Sequence, residues 1–420
     1  MKQTKVLGIG QGMIKNLIIL FTFYCSLFTT VNANLLQDAI DKAPVGSIIK
    51  LSAGVYKGSI VINKPITIIG TEEGVIIDGE GTGTVIKVTG SFVTLKNLTV
   101  INSGSQHHTV DAGITLIKGK QNEVSNCTID KCLFGIDIQQ VSNSIISNNK
   151  ITSKDLDLGL RGDGLRLWYS NDNIVKNNSL IKSRDMVIWY SHGNTIEDNY
   201  GEYGRYSLHF MYAGKNLVRN NNYKYNSVGI FFMYSQDTTV TGNVIQSSLG
   251  ATGMGIGLKD VSNFIIEDNT IIYCAQGLYI DRSPYEPDTH NWITNNKILY
   301  NSEALHFHSR SENNVIKENT IMGNIEDIVS DTRGSKTNAN NIVGNFWDNY
   351  IGFDVDKNGV GDTPHEVYQY ADQLWVYNAE VKFFYGSPVI SLLNFLAKLA
   401  PFSKPVFLME DKEPQVEIKG

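Results

Sequence analysis

The sequence predicts an all-β protein, a right-handed single-stranded parallel β-helix (solenoid) with a short N-terminal capping helix and an apolar C-terminal segment outside the repeat. A short pattern, in which a mostly polar stretch with Asn lies between two aliphatic residues, occurs eleven times between Leu98 and Asn345 at steps of 21 to 29 residues. A repeat of this length indicates stacked structural units. Because the aliphatic residues alternate and Asn and Gly lie between them, each unit should consist of short strands and tight turns.

The first 33 residues have the pattern of a secretory signal peptide. Three lysines precede an apolar run over residues 17–28, and Val31-Asn-Ala33 resembles a small-residue cleavage site. The apolar run is short for a membrane span. Residues 34–347 are predicted to form the β-helix with its N-terminal cap. The apolar residues of this capping helix are Leu36, Ala39, Ile40 and Ala43.

The recurring Asn residues are predicted to lie at one corner of each coil. Asn tolerates the left-handed conformation that a sharp corner can require, and its amide can bond to the Asn of the next coil. Asn199, Asn221, Asn243 and Asn269 should therefore stack in one column. This column is expected to be part of the scaffold and not a binding site.

The composition argues against a nucleic-acid partner. The net charge is −6 at pH 7, or −9 without the three leader lysines, since 33 Lys and Arg then face 42 Asp and Glu. Removal of the leader leaves Cys127, Cys132 and Cys274, an odd number at irregular spacing, which is not the pattern of a disulfide framework. These cysteines are expected to be small buried residues or corner residues, and Cys127 occupies a position of the Asn column.

One strand per coil repeats closely enough for its two faces to be assigned. Strand alternation places Leu208, Phe210, Ile230 and Phe232 in the core. Two columns then face outward. The first contains Arg166, Val187, His209, Phe231, Gly257, Tyr279 and His306, and the second contains Trp168, Trp189, Met211, Met233, Lys259, Asp281 and His308. The aromatic stripe consists of Trp168, Trp189, Tyr169, Tyr190, Tyr212 and Tyr234, and it is apolar where a surface is expected.

Two methionines beside this stripe are candidate metal ligands. Met211 and Met233 lie in one outward column on consecutive coils, about 4.8 Å apart at the usual strand spacing, and His209 is on the same strand as Met211. Two thioethers and an imidazole favour Cu(I), and the aromatic neighbours would exclude water. The alternative is an apolar patch that the C-terminal segment or a partner covers, in which Met is used for its adaptable packing.

His306 and His308, with Asp281 on the neighbouring coil, form a second polar group. It lies about three coils beyond the methionines, roughly 15 Å at the strand spacing, which favours a separate site or a partner contact. With Arg282 and Arg310, these residues could also line the acid/base groove of a polysaccharide lyase or epimerase. The outward columns contain no cluster of carboxylates, so the sequence favours a protein that is not an enzyme. Polysaccharide binding and adhesion are the remaining alternatives.

Several motifs together resemble those of one family. They are His209-Phe-Met-Tyr212, Phe232-Met-Tyr-Ser235, Gly344-Asn-Phe-Trp-Asp-Asn-Tyr350 and Asp354-Val-Asp-Lys-Asn-Gly-Val-Gly-Asp-Thr-Pro364. The coils resemble the pectin-lyase-like superfamily with its carbohydrate-binding and sugar-hydrolase repeats. The motifs more closely resemble the NosD family, the periplasmic maturation proteins of nitrous oxide reductase, over almost the whole mature chain.

The resemblance implies a periplasmic accessory protein for the assembly of the copper centres of nitrous oxide reductase. Such a protein would accept or relay Cu(I) transiently, together with an ABC transporter and a copper-chaperone lipoprotein. Residues 348–420 would form a closing region and a partner-docking tail, in which residues 389–400 form a short amphipathic helix on the membrane subunits of the transporter. The docking residues would be Phe383, Val389, Leu392, Leu393, Phe395 and Leu396.

Asp354, Asp356 and Asn358 match the opening of a calcium-binding loop. His365 stands where such a loop should supply a bidentate Glu, so a turn that closes the rod is favoured over a weak calcium site. The last ten residues, from Asp411, are charged and are expected to be loose.

Overall fold

The computed structural model describes residues 31–250, 252–332, 337–369, 378–384, 387–399 and 405–418. The predicted parallel β-helix is confirmed: its coils contribute strands to three parallel sheets of 14, 13 and 12 strands, named sheet 1, sheet 2 and sheet 3. Within a coil the chain passes from sheet 2 to sheet 1 and then to sheet 3.

The strands of sheet 1 are Val31–Asn32, Gly54–Lys57, Val75–Asp78, Thr99–Ile101, Thr128–Cys132, Lys150–Ser153, Ser179–Ile181, Tyr200–Glu202, Asn222–Lys224, Val244–Gln246, Thr270–Ile272, Lys297–Leu299, Thr320–Met322 and Phe346–Trp347. The strands of sheet 2 are Ile48–Leu51, Thr67–Gly70, Thr94–Lys96, Glu123–Ser125, Ile145–Ser147, Ile174–Lys176, Thr195–Glu197, Leu217–Arg219, Thr239–Thr241, Ile265–Glu267, Asn291–Thr294, Asn314–Lys317 and Asn341–Val343. The strands of sheet 3 are Ile60–Ile62, Ile86–Val88, Ala112–Ile117, Phe134–Gln139, Leu165–Trp168, Asp185–Trp189, Tyr206–Met211, Val228–Met233, Met254–Lys259, Gln276–Asp281, Glu303–His308 and Glu326–Ser330.

The N-terminal end of the rod is covered by helix α1 (Ala33–Lys42), as predicted. Leu36 and Ile40 are buried against the core. Gln37 pairs with the first strand of sheet 3: its Nε2 donates to Val61 O at 3.0 Å, and Val61 N donates to its Oε1 at 2.8 Å. The helix therefore satisfies part of an exposed sheet edge. The predicted signal peptide falls mainly on residues 1–30, which lie outside the described residues.

The predicted register is confirmed by the core. Leu208 is aligned with Ile230 and Phe210 with Phe232 on consecutive strands of sheet 3. All four side chains are fully buried. The rings of Phe210 and Phe232 stack with their centroids 4.7 Å apart. The same alternation leaves Met211 half-buried on the outer face.

The three cysteines are free thiols inside the rod, as expected. Burial raises the pKa of the Cys127 thiol to about 12 and the pKa values of Cys132 and Cys274 to about 11. A thiol with so high a pKa stays protonated and is a poor nucleophile and metal ligand. We therefore assign these residues to the core.

The predicted Asn column stands at the corner between sheets 2 and 1. Asn199 donates to Asn221 Oδ1 from its backbone N at 2.9 Å and from its Nδ2 at 3.0 Å. Asn221 makes the same two bonds to Asn243. We call this hydrogen-bonded Asn column the Asn ladder. The residue just before each ladder Asn, such as Asp198 or Asn220, adopts the left-handed backbone conformation. The ladder Asn is thus required for its stacking amide and not, as the sequence suggested, for a positive φ.

A second ladder, which the sequence analysis missed, lies at the corner between sheets 3 and 2. Asn173 N donates to Asn194 Oδ1 and Asn194 N donates to Asn216 Oδ1, each at 2.9 Å. Ser144, Asn291 and Asn314 continue this corner in other coils. The corner between sheets 1 and 3 is also bonded from coil to coil, since Asn301 N donates to Asn324 Oδ1 at 2.9 Å. Both corners that flank sheet 3 are therefore held by side-chain hydrogen bonds.

The C-terminal region closes the rod more tightly than the sequence predicted. The strand Val406–Asp411 pairs antiparallel with His365–Gln369. Asp411, expected to begin a loose tail, is fully buried. Its Oδ2 accepts bonds from Asn345 N and Nδ2 at 2.9 Å and from Trp347 Nε1 at 3.0 Å. The prediction was wrong because Asp411 supplies the acceptor that the last ladder Asn would otherwise lack.

The apolar segment before this strand forms helix α2 (Pro388–Leu399), one residue earlier than the predicted range. Ile390 is buried, whereas most other large apolar side chains of α2 are exposed. The described residues also contain short 3-10 helices at Leu158–Leu160, Thr337–Ala339 and Ala379–Phe384. Among the described residues, the helices are too short or too polar to span a membrane.

Candidate metal site on the outer face of sheet 3

The outer face of sheet 3 carries three columns of side chains, one more than the sequence predicted. The additional column contains Asp185, Tyr206, Val228, Met254, Gln276, Glu303 and Glu326. Its members contact the neighbouring column, since the Tyr206 ring stacks on His209 and Glu303 bonds to His306. The first outward column is consequently covered, and Val187, His209, Phe231 and His306 are buried where the sequence predicted a surface.

Met211 and Met233 have the relationship that the sequence predicted. They are directly aligned on consecutive strands of sheet 3, and both are half-buried. His209 is aligned with Phe231 and projects on the same side of its strand as Met211, two residues further on. The sheet therefore places two thioethers and one imidazole on a single outer face.

His209 is an unusual buried histidine because neither ring nitrogen has a hydrogen-bond partner among the described residues. Its side chain is 7% exposed. Aromatic rings surround it: the centroid of Tyr206 lies at 4.7 Å and that of Trp189 at 5.6 Å. Buried polar atoms normally have partners, so an orphaned imidazole needs an explanation. A metal ion at the outer face would supply one.

The protonation state of His209 suits a metal ligand. Burial lowers its pKa to about 4, and the opposing influence of Asp185 is offset in part by Arg205. The imidazole is neutral at pH 7 and keeps a lone pair. Two thioethers and a neutral imidazole form an uncharged, soft donor set, which suits Cu(I) better than a hard divalent ion. The residues present therefore fit the predicted ion.

The predicted aromatic stripe is present beside the methionines. Tyr169, Tyr190, Tyr212 and Tyr234 stack in a continuous ladder with centroid separations of 4.8, 5.2 and 4.8 Å. Trp168 and Trp189 lie against each other with centroids 5.7 Å apart. Tyr169 and Tyr212 are about half exposed, at 50% and 43%. The described part of the C-terminal region packs on the last coils, through bonds such as Gln415 N to Asn345 O, and leaves this stripe uncovered.

The second polar group is assembled differently from the prediction. Asp281 pairs with Lys259, whose Nζ lies 2.7 Å from its Oδ2, and not with the histidines. His306 and His308 instead meet Asp331, one coil further on, with His306 Nε2 and His308 Nδ1 at 3.2 and 2.8 Å from its carboxylate. Asp331 was not predicted from the sequence, although its position one coil after His308 in the same column was a signal.

All five residues of the alternative acid/base groove have charged partners, and His306 and His308 share Asp331. Besides Asp281, Arg282 forms an ion pair with Asp260, and Arg310 Nη2 lies 2.9 Å from Glu312. These charges are already neutralised by neighbours. The geometry gives this alternative no support.

The candidate calcium loop is hydrogen-bonded as a turn. Asp354 accepts the backbone N–H groups of Asn358 at 3.1 Å and Gly359 at 2.9 Å. Asp362 accepts the backbone N–H of Val355 at 2.7 Å. Carboxylates in such bonds hold an Asx-type turn together. The structure thus supports the turn that the sequence favoured.

Comparison with solved structures identifies the class of fold. The chain superimposes on the A-module of the mannuronan C-5 epimerase AlgE6 from Azotobacter vinelandii with a TM-score of 0.53 and 15% identity, over 74% of this chain and 94% of that one. Identity this low identifies the fold alone, so the enzyme's activity does not transfer. The protein is a member of the parallel β-helix class.

The resemblance to the NosD family is confirmed as a similarity of sequence. Residues 152–352 match the family model described as periplasmic copper-binding protein (NosD). The chain is 28% identical over 396 residues to the probable ABC transporter binding protein NosD of Pseudomonas aeruginosa, which covers 87% of this chain and 89% of that protein. It is 27% identical over 376 residues to the protein of the same name from Stutzerimonas stutzeri, with 84% of each chain covered. The chain is thus similar in sequence to NosD proteins over most of its length.

Proposed function

We propose that this protein is a periplasmic accessory protein that accepts and relays Cu(I) for the assembly of the copper centres of nitrous oxide reductase. The description of the matching family and the names of the relatives support copper handling and work with an ABC transporter. The observation that carries the proposal is the alignment of Met211 with Met233 beside the orphaned imidazole of His209. We assign no catalytic step to the chain.

The ion is cargo in this proposal, and the donor set suits transient binding. Met211 and Met233 are half-buried, so a partner can approach the ion from the solvent side while His209 holds it from the buried side. Neutral ligands leave the charge of Cu(I) uncompensated. A partner that offers an anionic thiolate can therefore draw the ion away, as a relay requires.

The aromatic stripe is the proposed surface for the partner that exchanges copper. It runs beside both methionines and presents Tyr169 and Tyr212 to solvent. Tyr and Trp provide a large contact area with little loss of side-chain entropy, which is why they are enriched in interfaces. A copper-chaperone lipoprotein and nitrous oxide reductase are the proposed partners, and each would use this face in turn.

Helix α2 is the proposed contact with the membrane subunits of the transporter, which would hold the protein at the periplasmic face of the membrane. Its exposed apolar residues form a surface that water does not favour. The exposed fractions of the predicted docking residues are 86% for Phe383, 64% for Val389, 56% for Leu392, 38% for Leu393, 57% for Phe395 and 38% for Leu396. A membrane protein offers the apolar partner that such a helix needs.

The copper site is tested by replacing Met211 and Met233 together with Leu, which removes both sulfurs and retains the apolar volume. We expect Cu(I) affinity, measured anaerobically by competition with a chromophoric chelator, to fall at least about tenfold, or ~1.4 kcal/mol. Maturation of nitrous oxide reductase should fall with it. The matched control is Met322→Leu, since Met322 is half-buried on sheet 1, away from this face. Unchanged affinity and an active reductase in the double variant would make the two methionines packing residues.

A further inference from the structure

A cluster of four side chains lies at the C-terminal end of the outer face of sheet 3. His306 and His308 project on the same side of the strand Glu303–His308, and Glu303 is at its start. Asp331 directly follows the last strand of sheet 3, one coil further on. Candidate ligand atoms of His306, His308 and Asp331 all lie within 4.8 Å of one another. We call these four residues the histidine–carboxylate cluster.

The hydrogen bonds fix the tautomer of His306. Its Nδ1 lies 2.5 Å from Glu303 Oε2, and Gln276 Nε2 lies 3.0 Å from both of these atoms. The Nε2 amide nitrogen of Gln276 can only donate and an ionised carboxylate can only accept. Nδ1 of His306 must therefore carry the proton and donate to Glu303, and Gln276 donates to the same carboxylate.

In this tautomer the other ring nitrogen of His306, Nε2, has a lone pair and no proton. Nε2 faces Asp331 Oδ2 at 3.2 Å, and His308 Nδ1 lies 2.8 Å from Asp331 Oδ1. Two acceptors that face each other in a buried place are unfavourable unless a cation lies between them. His306 is 1% exposed, so water does not relieve the conflict there. The cation can be a second proton on His306 or a metal ion.

We propose that the histidine–carboxylate cluster binds a divalent metal ion of the zinc and copper(II) class. His306 Nε2, one ring nitrogen of His308 and the Asp331 carboxylate are the ligands. Two imidazoles and a carboxylate suit zinc and copper(II) rather than the soft Cu(I) ion. Glu303 is a positioning residue that orients His306, as carboxylates commonly do behind metal-bound histidines.

The surroundings of the cluster are compatible with an accessible metal site. The side chains of His308 and Asp331 are 40% and 25% exposed, which provides an entry path from solvent. Three protein ligands leave a coordination position open to water or to a partner's side chain. Tyr279 stacks on His306 and His308 at 5.3 and 6.1 Å and fixes both rings from the preceding coil. The site is therefore built and solvent-accessible.

The proposed divalent site is independent of the proposed Cu(I) site. In the shared column Met233 is followed by Lys259, Asp281 and His308 on successive coils. Three coils correspond to roughly 14 Å at the strand spacing, and the Lys259–Asp281 ion pair occupies the intervening positions. Failure of one site to bind its ion would leave the other unaffected.

The test is a titration of the full chain, with its histidine–carboxylate cluster intact, with Zn²⁺ by calorimetry and with Co²⁺ by visible absorption. We expect one tight site per chain and a d–d spectrum typical of nitrogen and oxygen ligands. His308→Ala and Asp331→Asn should each lower Zn²⁺ affinity by at least about tenfold. Circular dichroism checks folding, and His308→Ala removes a partly exposed side chain, so that at least one variant should retain the fold.

Two controls separate this site from other binding. His192→Ala removes an exposed histidine elsewhere on the rod and should leave Zn²⁺ binding unchanged. The Met211→Leu, Met233→Leu double variant should also bind Zn²⁺ normally, and Asp331→Asn should bind Cu(I) normally. The proposal is overturned if the wild-type chain binds no stoichiometric Zn²⁺, or if His308→Ala and Asp331→Asn bind it as tightly as the wild type. In either event, a second proton on His306, and not a metal ion, lies between its Nε2 and the Asp331 carboxylate.

Discussion

Burial in the rod shifts the pKa values of individual side chains. His209 is held neutral with a pKa of about 4 because burial disfavours its charged form. Asp327 is shifted in the opposite direction: burial, with a smaller effect of the charge on Asp348, raises its pKa to about 7. Asp327 is 7% exposed and accepts a bond from Asn349 Nδ2 at 2.6 Å. Both shifts favour the neutral form of the side chain.

Asp327 should make stability depend on pH near neutrality. A folded pKa of about 7, above the ordinary value of 3.8, means that the folded protein binds more protons than the unfolded chain between these values. Stability is therefore lost as pH rises through this window. Asp327→Asn should be more stable than the wild type at pH 8, by on the order of 2–4 kcal/mol, and no more stable at pH 4.

Urea unfolding at pH 4 and pH 8 measures this difference. The control is Asp288→Asn, because Asp288 is exposed on the surface and a change there should alter the two measurements equally. The same pH dependence in Asp327→Asn and in the wild type would show that another buried group is responsible.

At the scale of one element, helix α2 presents six large apolar side chains to solvent. Ile390 is buried on one side, and Leu392, Phe395 and Leu399 are 56%, 57% and 68% exposed on the other. Deleting everything after residue 382 would be a poor test of docking, because it would also remove Asp411, which completes the Asn ladder. Point substitutions on the exposed side of α2 avoid this problem.

We predict that Leu392→Asp combined with Phe395→Asp abolishes co-purification with the membrane subunits of the transporter. The two charges would have to be desolvated at an apolar interface, which costs several kcal/mol. The rod should stay folded, since both side chains are exposed. Ile351→Asp is the matched control, because Ile351 is 92% exposed but outside the helix. Retention of the transporter by the double variant would refute the docking role.

The whole molecule behaves as a stack in which each coil depends on its neighbours. Coils exchange backbone bonds within three sheets and side-chain bonds at three corners, so the free end of the stack is its weakest place. Helix α1 covers one end, and the strand with Asp411 covers the other. Stability at the C-terminal end should therefore depend on one carboxylate.

Asp411→Ala is predicted to destabilise the last coils by on the order of 3 kcal/mol or more, because it leaves buried donors of Gly344, Asn345 and Trp347 without an acceptor. Hydrogen exchange should accelerate in Asn341–Val343 and stay slow in Thr94–Lys96, near the other end of the rod. Asp411→Asn keeps one carbonyl oxygen and should have an intermediate effect. Uniform acceleration along the rod would argue against a local role.

The sequence by itself determined the coil repeat, the core register, the Asn ladder and the alignment of Met211 with Met233. These features follow from local rules: side chains alternate along a strand, and a repeat of nearly constant length brings equivalent positions into contact. The assignment of one strand per coil is enough to place His209 beside Met211, because both residues lie on the same side of the strand Tyr206–Met211. No knowledge of the loops is needed for this part of the fold and of the candidate site.

Only the tertiary structure decided which outward residues are buried and which groups meet. Tyr206 covers His209 because a further column starts before the predicted one. Asp411 reaches Asn345 across 66 residues. Such contacts depend on the paths of the connecting segments, and the alternation of polar and apolar residues carries no information about those paths.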